Sequence, residues 1–277
     1  MLKIALSSLK YLRAGAGTNS FYIAVNSAYL RMYGDYQQIH FPFYKKEGET
    51  FLQCQQNLTD YCLSKTSAIA GRDVLEIGCG NGIQGIYMMQ RFAPASYTGI
   101  DINRDNLEIA KQESEKFGLV NVRFIFDDAQ KLSYLEDNTY DTVLNIESAL
   151  HYPDKGAFLQ QVFRVLKPGG HFLIADVLSR KTRSYGYWDS KMWHFNWSME
   201  QYHEALRNSN LQLICAEDIT PQIIEGFKQH RYWFKNSTAG NSLINRLIKY
   251  WAKFIFKLNI SALQNKNCYV IFSGIKP

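Results

Sequence analysis

The chain has 277 residues, 46% hydrophobic and 14% aromatic, with 31 Lys+Arg against 25 Asp+Glu. That length fits one large domain or two small ones, and the apolar fraction excludes a disordered, collagenous or disulfide-stapled chain. The net charge of +6 is uneven: residues 1–34 carry +4, residues 35–220 carry −6 and residues 221–277 carry +8. An acidic body with two basic ends could meet a membrane surface, a nucleic acid or an anionic substrate. Cys54, Cys62, Cys79, Cys215 and Cys268 show no C-x-x-C or Cys/His spacing, so neither a metal site nor a disulfide framework is expected. The start, MLKIALSSLKYLRAGAG, imitates a signal peptide, but Lys10 and Arg13 interrupt its apolar run. The expectation is a soluble, cytoplasmic protein, with peripheral membrane contact left open.

Residues 1–70 read as helical and aromatic-rich, a cap over the remainder of the chain. Val74–Ile77 is a short apolar run ending in glycines, and Gln84–Phe92 is helical in pattern. Tyr97–Asp101 is a second run and Arg104–Phe117 a second helix. Val122–Phe126 and Thr142–Ile146 are further runs, and Lys155–Leu166 is again helical. Lys167-Pro168-Gly169-Gly170 signals a turn before a fifth run, His171–Val177. Ser198 with Gln201 three positions on predicts a capping box. Leu211–Ala216 and Asn267–Ser273 read as two last strands, and residues 219–260 as largely helical with a break near Gly240. This alternation predicts an α/β, Rossmann-like sheet of seven mostly parallel strands, with helices on both faces and a helical, aromatic substrate cap. The whole chain then forms a single domain, with 1–70 as the cap, 71–178 as the core, and 179–277 as cap insertion, amphipathic helices and final strands. Residues 179–197 are dense in aromatics, including Tyr187, Trp188 and Trp193. They come after a strand's carboxyl end, where α/β ligands bind, and read as substrate cap or as hydrophobic cladding.

The strongest local signal is VLEIGCGNG, residues 74–82. Gly78, Gly80 and Gly82 lie after a strand and before a helix, the context of a ligand-cradling loop. A dinucleotide fingerprint needs its third glycine at position 83, which is Ile83. Glu76 at the strand end disfavours a pyrophosphate and suits a cationic ligand, such as an amino group beside a sulfonium. Asp101 ends the second strand, where an acid can accept both ribose hydroxyls. Asp127-Asp128-Ala129 comes after the third, within reach of an adenine amino group. Three acidic positions at successive strand ends outweigh the reading of each as a turn or helix cap.

VLEIGCGNG, IDIN, DDA and VLKPGG together resemble the ordered motifs of class I S-adenosylmethionine-dependent methyltransferases, over roughly residues 70–178. The resemblance implies S-adenosyl-L-methionine as cofactor and S-adenosyl-L-homocysteine as product. It implies that Glu76, Gly78 and Gly80 hold the methionine portion, Asp101 the ribose, and Asp128 with Ala129 the adenine, with Cys79, Gly82 and Ile102 also at the cofactor. Asn145 would line the cofactor beside the transferred methyl. NIESALHYPD, residues 145–154, is similar to the E-[AS]-x-x-H-x-P motif of methyltransferases acting on sterols, glycosylated natural products and phthiotriolone lipids. PASYTGIDIN, residues 94–103, is most similar to the phthiotriolone-type O-methyltransferases, although Leu150 stands where those relatives place a histidine. IHFPFYKKEGETF, residues 39–51, resembles the segment of sterol methyltransferases whose aromatics cover the cofactor.

Methyl transfer from a sulfonium is an in-line displacement, so alignment supplies much of the acceleration, ~7–11 kcal/mol in favourable cases. A hydroxyl acceptor must also lose its proton, and a histidine is a suitable base. His151, just beyond the fourth strand, is the candidate, with Asp176 at the end of the fifth strand supporting it. A helix-cap or packing histidine is the plain alternative. Tyr36, Phe41, Phe43 and Tyr44 could close over a sulfonium, which aromatic faces attract by ~0.5–2 kcal/mol, or fill the core. Tyr187, Trp188, Trp193 and His194 join Tyr36 and Phe43 as pocket candidates.

SLINRLIKYWAKFIFKL, residues 242–258, places Ile244, Leu247, Ile248, Trp251, Phe254, Ile255 and Leu258 on one stripe opposite Arg246, Lys249, Lys253 and Lys257. Such a helix suits a membrane interface, or it packs on its own domain or a second subunit. No recognition motif accompanies the charge, so nucleic acid is not an expected partner. The sequence therefore points to O-methylation of a hydrophobic small molecule, such as a lipid or polyketide, by a monomer or homodimer. C-methylation of an isoprenoid, N-methylation, and an inactive cofactor-binding subunit are the alternatives.

Overall fold

The computed structural model describes residues 18–181, 194–229, 240 and 242–277. Two helices lead in, α1 (Thr18–Tyr33) and α2 (Phe51–Leu63). A capping box starts α2: Thr50 Oγ1 accepts the Gln53 N–H, and the Gln53 side chain accepts the Thr50 N–H. The alternation then runs β1 (Asp73–Ile77), α3 (Ile83–Phe92), β2 (Ser96–Asp101), α4 (Arg104–Lys116), β3 (Val122–Phe126) and β4 (Tyr140–Ile146). After a 3-10 turn (Ala149–His151) come α5 (Lys155–Val165), β5 (Leu166–Ser179), α6 (Met199–Asn208), β6 (Gln212–Asp218), α7 (Thr220–Lys228), α8 (Leu243–Asn265) and β7 (Asn267–Ile275). Ser198 and Gln201 form the expected capping box on α6.

The seven strands lie in the order β3-β2-β1-β4-β5-β7-β6. All pairs from β3 to β5 are parallel, while β7 runs antiparallel to both β5 and β6. The expected turn at Lys167–Gly170 proves to be an irregularity within β5: Tyr140 pairs with Leu166, yet Thr142 already pairs with His171. Gly169 supplies the positive φ (76°) that lets the extra residues loop out.

Alternate residues of each central strand point to opposite faces. Leu75, Val143 and Phe172 pack with Phe158 and Val162 of α5 and Tyr202 of α6. Val74, Leu144 and Leu173 pack with Leu58 of α2, Met88 of α3, Ile223 of α7 and Leu263 of α8. Both faces are covered, which is why these strands read as continuous apolar runs. Strand order reverses beside β1, with β2 on one side and β4 on the other, so the carboxyl ends of those strands frame a crevice.

Candidate active site

The glycine loop after β1 is shaped by its surroundings. Gly78 and Cys79 donate their N–H groups to the Ile100 carbonyl at 2.7 and 2.9 Å. Gly78 has φ +79°, and a Cβ there would stand 1.8 Å from Ser148 Oγ. Gly82 has φ +75°, and its Cβ would meet the Ala110 Cβ of α4 at 2.5 Å. Neither position accepts a side chain without moving backbone. Asp101, at the end of β2, takes the Gly80 N–H on Oδ2 (2.8 Å) and the Asn103 N–H on Oδ1 (2.7 Å). Burial raises its pKa, opposed by those backbone bonds.

A cavity of about 340 Å³ opens over this loop. Its wall includes Gly78, Gly80, Asp101, Ile102, Asp128 and Ala129, so six of the predicted cofactor residues share one surface. Four do not reach it. Glu76 sits behind the loop, 2% exposed, accepting a hydrogen bond from the Tyr97 hydroxyl. Burial pushes its pKa up to about 7. Cys79 and Gly82 are packing positions, and Asn145 is fully buried. Asn145 Nδ2 donates to the Ile77 carbonyl (2.8 Å), and its Oδ1 accepts the Ala149 N–H (3.1 Å), tying β1 to the turn that carries His151. On the wall, Asn103 Nδ2 is buried with no partner among the described residues. That free donor, the left-handed loop and the paired carboxylates fit a nucleoside carrying a polar tail.

Residues 70–236 match the profile of the methyltransferase-domain family. The chain belongs to that family. Its strand order is that of the class I S-adenosylmethionine-dependent methyltransferases. Its curated relatives include a fatty-acid O-methyltransferase of Mycolicibacterium smegmatis, 32% identical over 65% of this chain and 56% of that protein. A phthiotriol/phenolphthiotriol dimycocerosates methyltransferase of Mycobacterium leprae is 29% identical over 67% of this chain and 59% of that protein. The matches thus span less than two thirds of the relatives' own length. Among solved structures, Haemonchus contortus phosphoethanolamine N-methyltransferase 2 aligns with a TM-score of 0.80 at 18% identity, over 94% of this chain and 58% of that one. The [4+2]-cyclase SpnF aligns with a TM-score of 0.74 at 23% identity, over 94% and 93%. These structural likenesses describe the fold, which hosts several chemistries.

In this methyltransferase the end of β4 gathers further ionisable groups. His151 lines the cavity, and its Nε2 lies 2.7 Å from the hydroxyl of Tyr22, which reaches in from α1. Glu147 has φ +54°, an uncommon backbone conformation for a residue with a side chain. Its Oε1 accepts the Phe41 N–H at 2.6 Å, and burial lifts its pKa to about 8. Asp176 does not bond to the His151 ring. It accepts from the Tyr202 hydroxyl and the backbone N–H groups of Val177 and Leu150, so it fixes the turn just before His151. Lys155 is fully buried, donates to the Phe195 carbonyl, and is lowered to about 8 by burial. The His194 ring lies 5.0 Å from that of His151, tilted by 52°, with its pKa pulled to about 4 by burial.

A second cavity, about 150 Å³, lies between α1, residues 39–42 and α8. It shares Tyr22, Ile39 and Glu147 with the first. Two predicted pocket residues lie elsewhere. Tyr36 lines a separate depression with Ile23 and Asp105, because the chain has turned away from the crevice there. Phe43 is core, stacked 4.6 Å from Tyr61. Phe41, by contrast, does face the second cavity. Tyr187, Trp188, Trp193 and the N-terminal segment Leu2–Leu12 fall outside the described residues. The apolar stripe of α8 divides: Ile248, Trp251 and Ile255 turn inward onto the second cavity, whereas Leu247 and Phe254 are exposed. Among the described residues no helix is long and apolar enough to cross a membrane, and no His/Cys/Asp/Glu group is arranged to hold a metal.

Proposed function

We propose that this methyltransferase alkylates an oxygen of a hydrophobic lipid, with His151 as the proton acceptor. The observation behind this reading is the junction of the two cavities, where a space lined by Asp101, Asn103 and Asp128 meets one lined mostly by aromatic and aliphatic side chains at Tyr22, Ile39 and Glu147. The cofactor supplies an electrophilic methyl on a sulfonium. Asp101 offers the ribose its remaining carboxylate lone pair, while Asp128 and Ala129 border the adenine and Asn103 Nδ2 donates to the nucleoside. Glu76 acts from behind the loop, where a bound cation favours its ionised form. His151 Nε2, in the tautomer protonated on Nδ1, takes the acceptor's proton through the Tyr22 hydroxyl bonded to it. Asp176 is then a positioning residue, holding the Leu150–His151 turn. The names of the fatty-acid and phthiotriol relatives support a lipid acceptor.

The test is transfer of labelled methyl from S-adenosylmethionine into a total lipid extract, then mild base hydrolysis of the product. Label on oxygen, as a base-stable ether or a base-labile ester, is expected, as is a fall of 100-fold or more in kcat for His151→Ala with little change in cofactor affinity, on the order of general-base contributions. Label on carbon or nitrogen, or unchanged turnover in the variant, overturns the proposal.

A further inference from the structure

We infer that the second cavity is a slot for one aliphatic chain of the acceptor, which lies along α1 and α8 and presents its reacting oxygen at Tyr22 and Glu147. This deepens the lipid O-methyltransferase reading and rests on it for the orientation of the chain.

The shape of the slot comes first. On α8 the wall runs from Ile248 through Trp251, Ala252, Ile255 and Phe256 to Asn259. At 1.5 Å per residue that face extends for about 16 Å. On α1 it runs from Phe21 to Tyr33, for about 18 Å. A space of about 150 Å³ spread along two such faces is narrow for its length. It suits a flexible chain better than a fused ring system. The two helices are also joined directly, by the Phe21 and Trp251 rings at 6.4 Å and by the Arg31 Nε–H donating to Asn245 Oδ1 at 2.5 Å.

The lining carries one carboxyl group. Aromatic and aliphatic side chains make up most of the wall, and His40 within it is pushed to about 4 and so is uncharged at neutral pH. Glu147 is the acid on this wall, and it stands where the slot meets the cofactor cavity. The backbone strain at Glu147 and the Phe41 N–H bond hold that carboxyl at the junction. A chain buried along the slot therefore leaves its polar terminus beside Glu147, Tyr22 and His151, next to the space that holds the transferable methyl. Of the residues lining the slot, Tyr22, Ile39 and Glu147 are those that also line the cofactor cavity.

The experiment reads binding, so that it does not depend on turnover. The probe is a series of n-alkan-1-ols of increasing length carrying a terminal bromine, which quenches nearby tryptophan fluorescence. Affinity is expected to rise about fourfold per added methylene until the slot is full, then to level off. Trp251→Phe should remove most of the quench. Ala252→Leu and, independently, Ala28→Leu should move the levelling point to shorter chains, with S-adenosylhomocysteine affinity unchanged as the control for folding. Affinity without length dependence, a quench that persists in Trp251→Phe, or a levelling point that neither alanine variant moves would each overturn the inference. Chains that bind in this graded way but never receive a methyl count against the O-methyltransferase reading alone. Lipids that are methylated with a length preference blind to both alanine variants count against the slot alone.

Discussion

Asp101→Ala gives the sharpest quantitative test of the cofactor cavity. Each carboxylate oxygen already accepts one backbone N–H, from Gly80 at 2.8 Å and from Asn103 at 2.7 Å. The Ile102 N–H bonds to the same carboxylate, which leaves one lone pair for a ribose hydroxyl. Hydrogen bonds to a charged group contribute ~1.5–3 kcal/mol each. One such bond, at 1.4 kcal/mol per decade, makes the affinity fall by about 10- to 100-fold. The same substitution frees the N–H donors of Gly80, Ile102 and Asn103 at the cavity wall. Water can reach them there, so the stability loss should stay at ~1–2 kcal/mol. Isothermal titration with S-adenosylhomocysteine, paired with thermal melts, separates the two effects. An affinity within threefold of wild type, on an unshifted melt, would refute the placement of the ribose at Asp101.

Three further outcomes concern other parts of the molecule. Glu147 has a folded-state pKa raised from 4.5 to about 8, so the folded state holds the proton more tightly than the unfolded chain. Its stabilising contribution is full at acid pH and is lost as pH rises through that window, by up to ~1.4 kcal/mol per unit. Denaturant titrations should therefore show Glu147→Gln gaining stability relative to wild type between pH 4.5 and 8; parallel profiles would reject the buried, proton-holding carboxyl. Gly78→Ala combines a left-handed backbone with a contact 1.8 Å from Ser148 Oγ. The conformational cost alone is ~1–2 kcal/mol, and cofactor binding should vanish before the fold does, as calorimetry beside circular dichroism would report. For α8, Leu243, Leu247, Tyr250 and Phe254 are exposed among Arg246, Lys253 and Lys257, an arrangement suited to an anionic membrane surface. Flotation with anionic liposomes should fall for Lys249/Lys253/Lys257→Glu, and equal flotation would reject the contact.

The strands were legible because each is short, apolar and punctuated. VLEIG and YTGID are buried on both faces, and burial on both faces leaves an uninterrupted apolar run in sequence. Asp101, Asp128 and Ala129 were legible for a related reason, since the carboxyl ends of parallel strands lie on one edge. Glu76 shows the limit of that logic. Spacing put it at the right strand end, yet its side chain turns behind the loop toward Tyr97, because alternate residues face opposite ways. Tyr22 left no local trace of its partnership with His151, 129 residues away. The pairing exists only once α1 folds across the sheet edge. Glu147 stood in plain view within NIESALHYPD, but its φ of +54° and its burial are properties of the packed turn. Tyr36 and Phe43 were misplaced because residues 35–45 change direction within a few positions, sending neighbours in sequence to different surfaces. The α8 stripe was read correctly as amphipathic, but periodicity could not say which side of it would meet the protein.

The reversed strand β7 also bears on how the molecule is made. It lies inside the sheet, hydrogen-bonded to β5 over nine residue pairs and to β6 on its other side, yet it comes after every other element in the chain. Until it is inserted, β6 has no neighbour and α8 has no anchor at its carboxyl end. During synthesis the parallel half, β3 to β5, can pair with its glycine loop while the other half waits on residues 267–275. The nascent chain thus acquires its glycine-loop side early and its α8 side last. A non-local pairing of this kind is slow to form and leaves apolar surface uncovered meanwhile. Ribosome-bound chains stalled before residue 267 should already bind S-adenosylhomocysteine and should attract chaperones that hold exposed apolar segments.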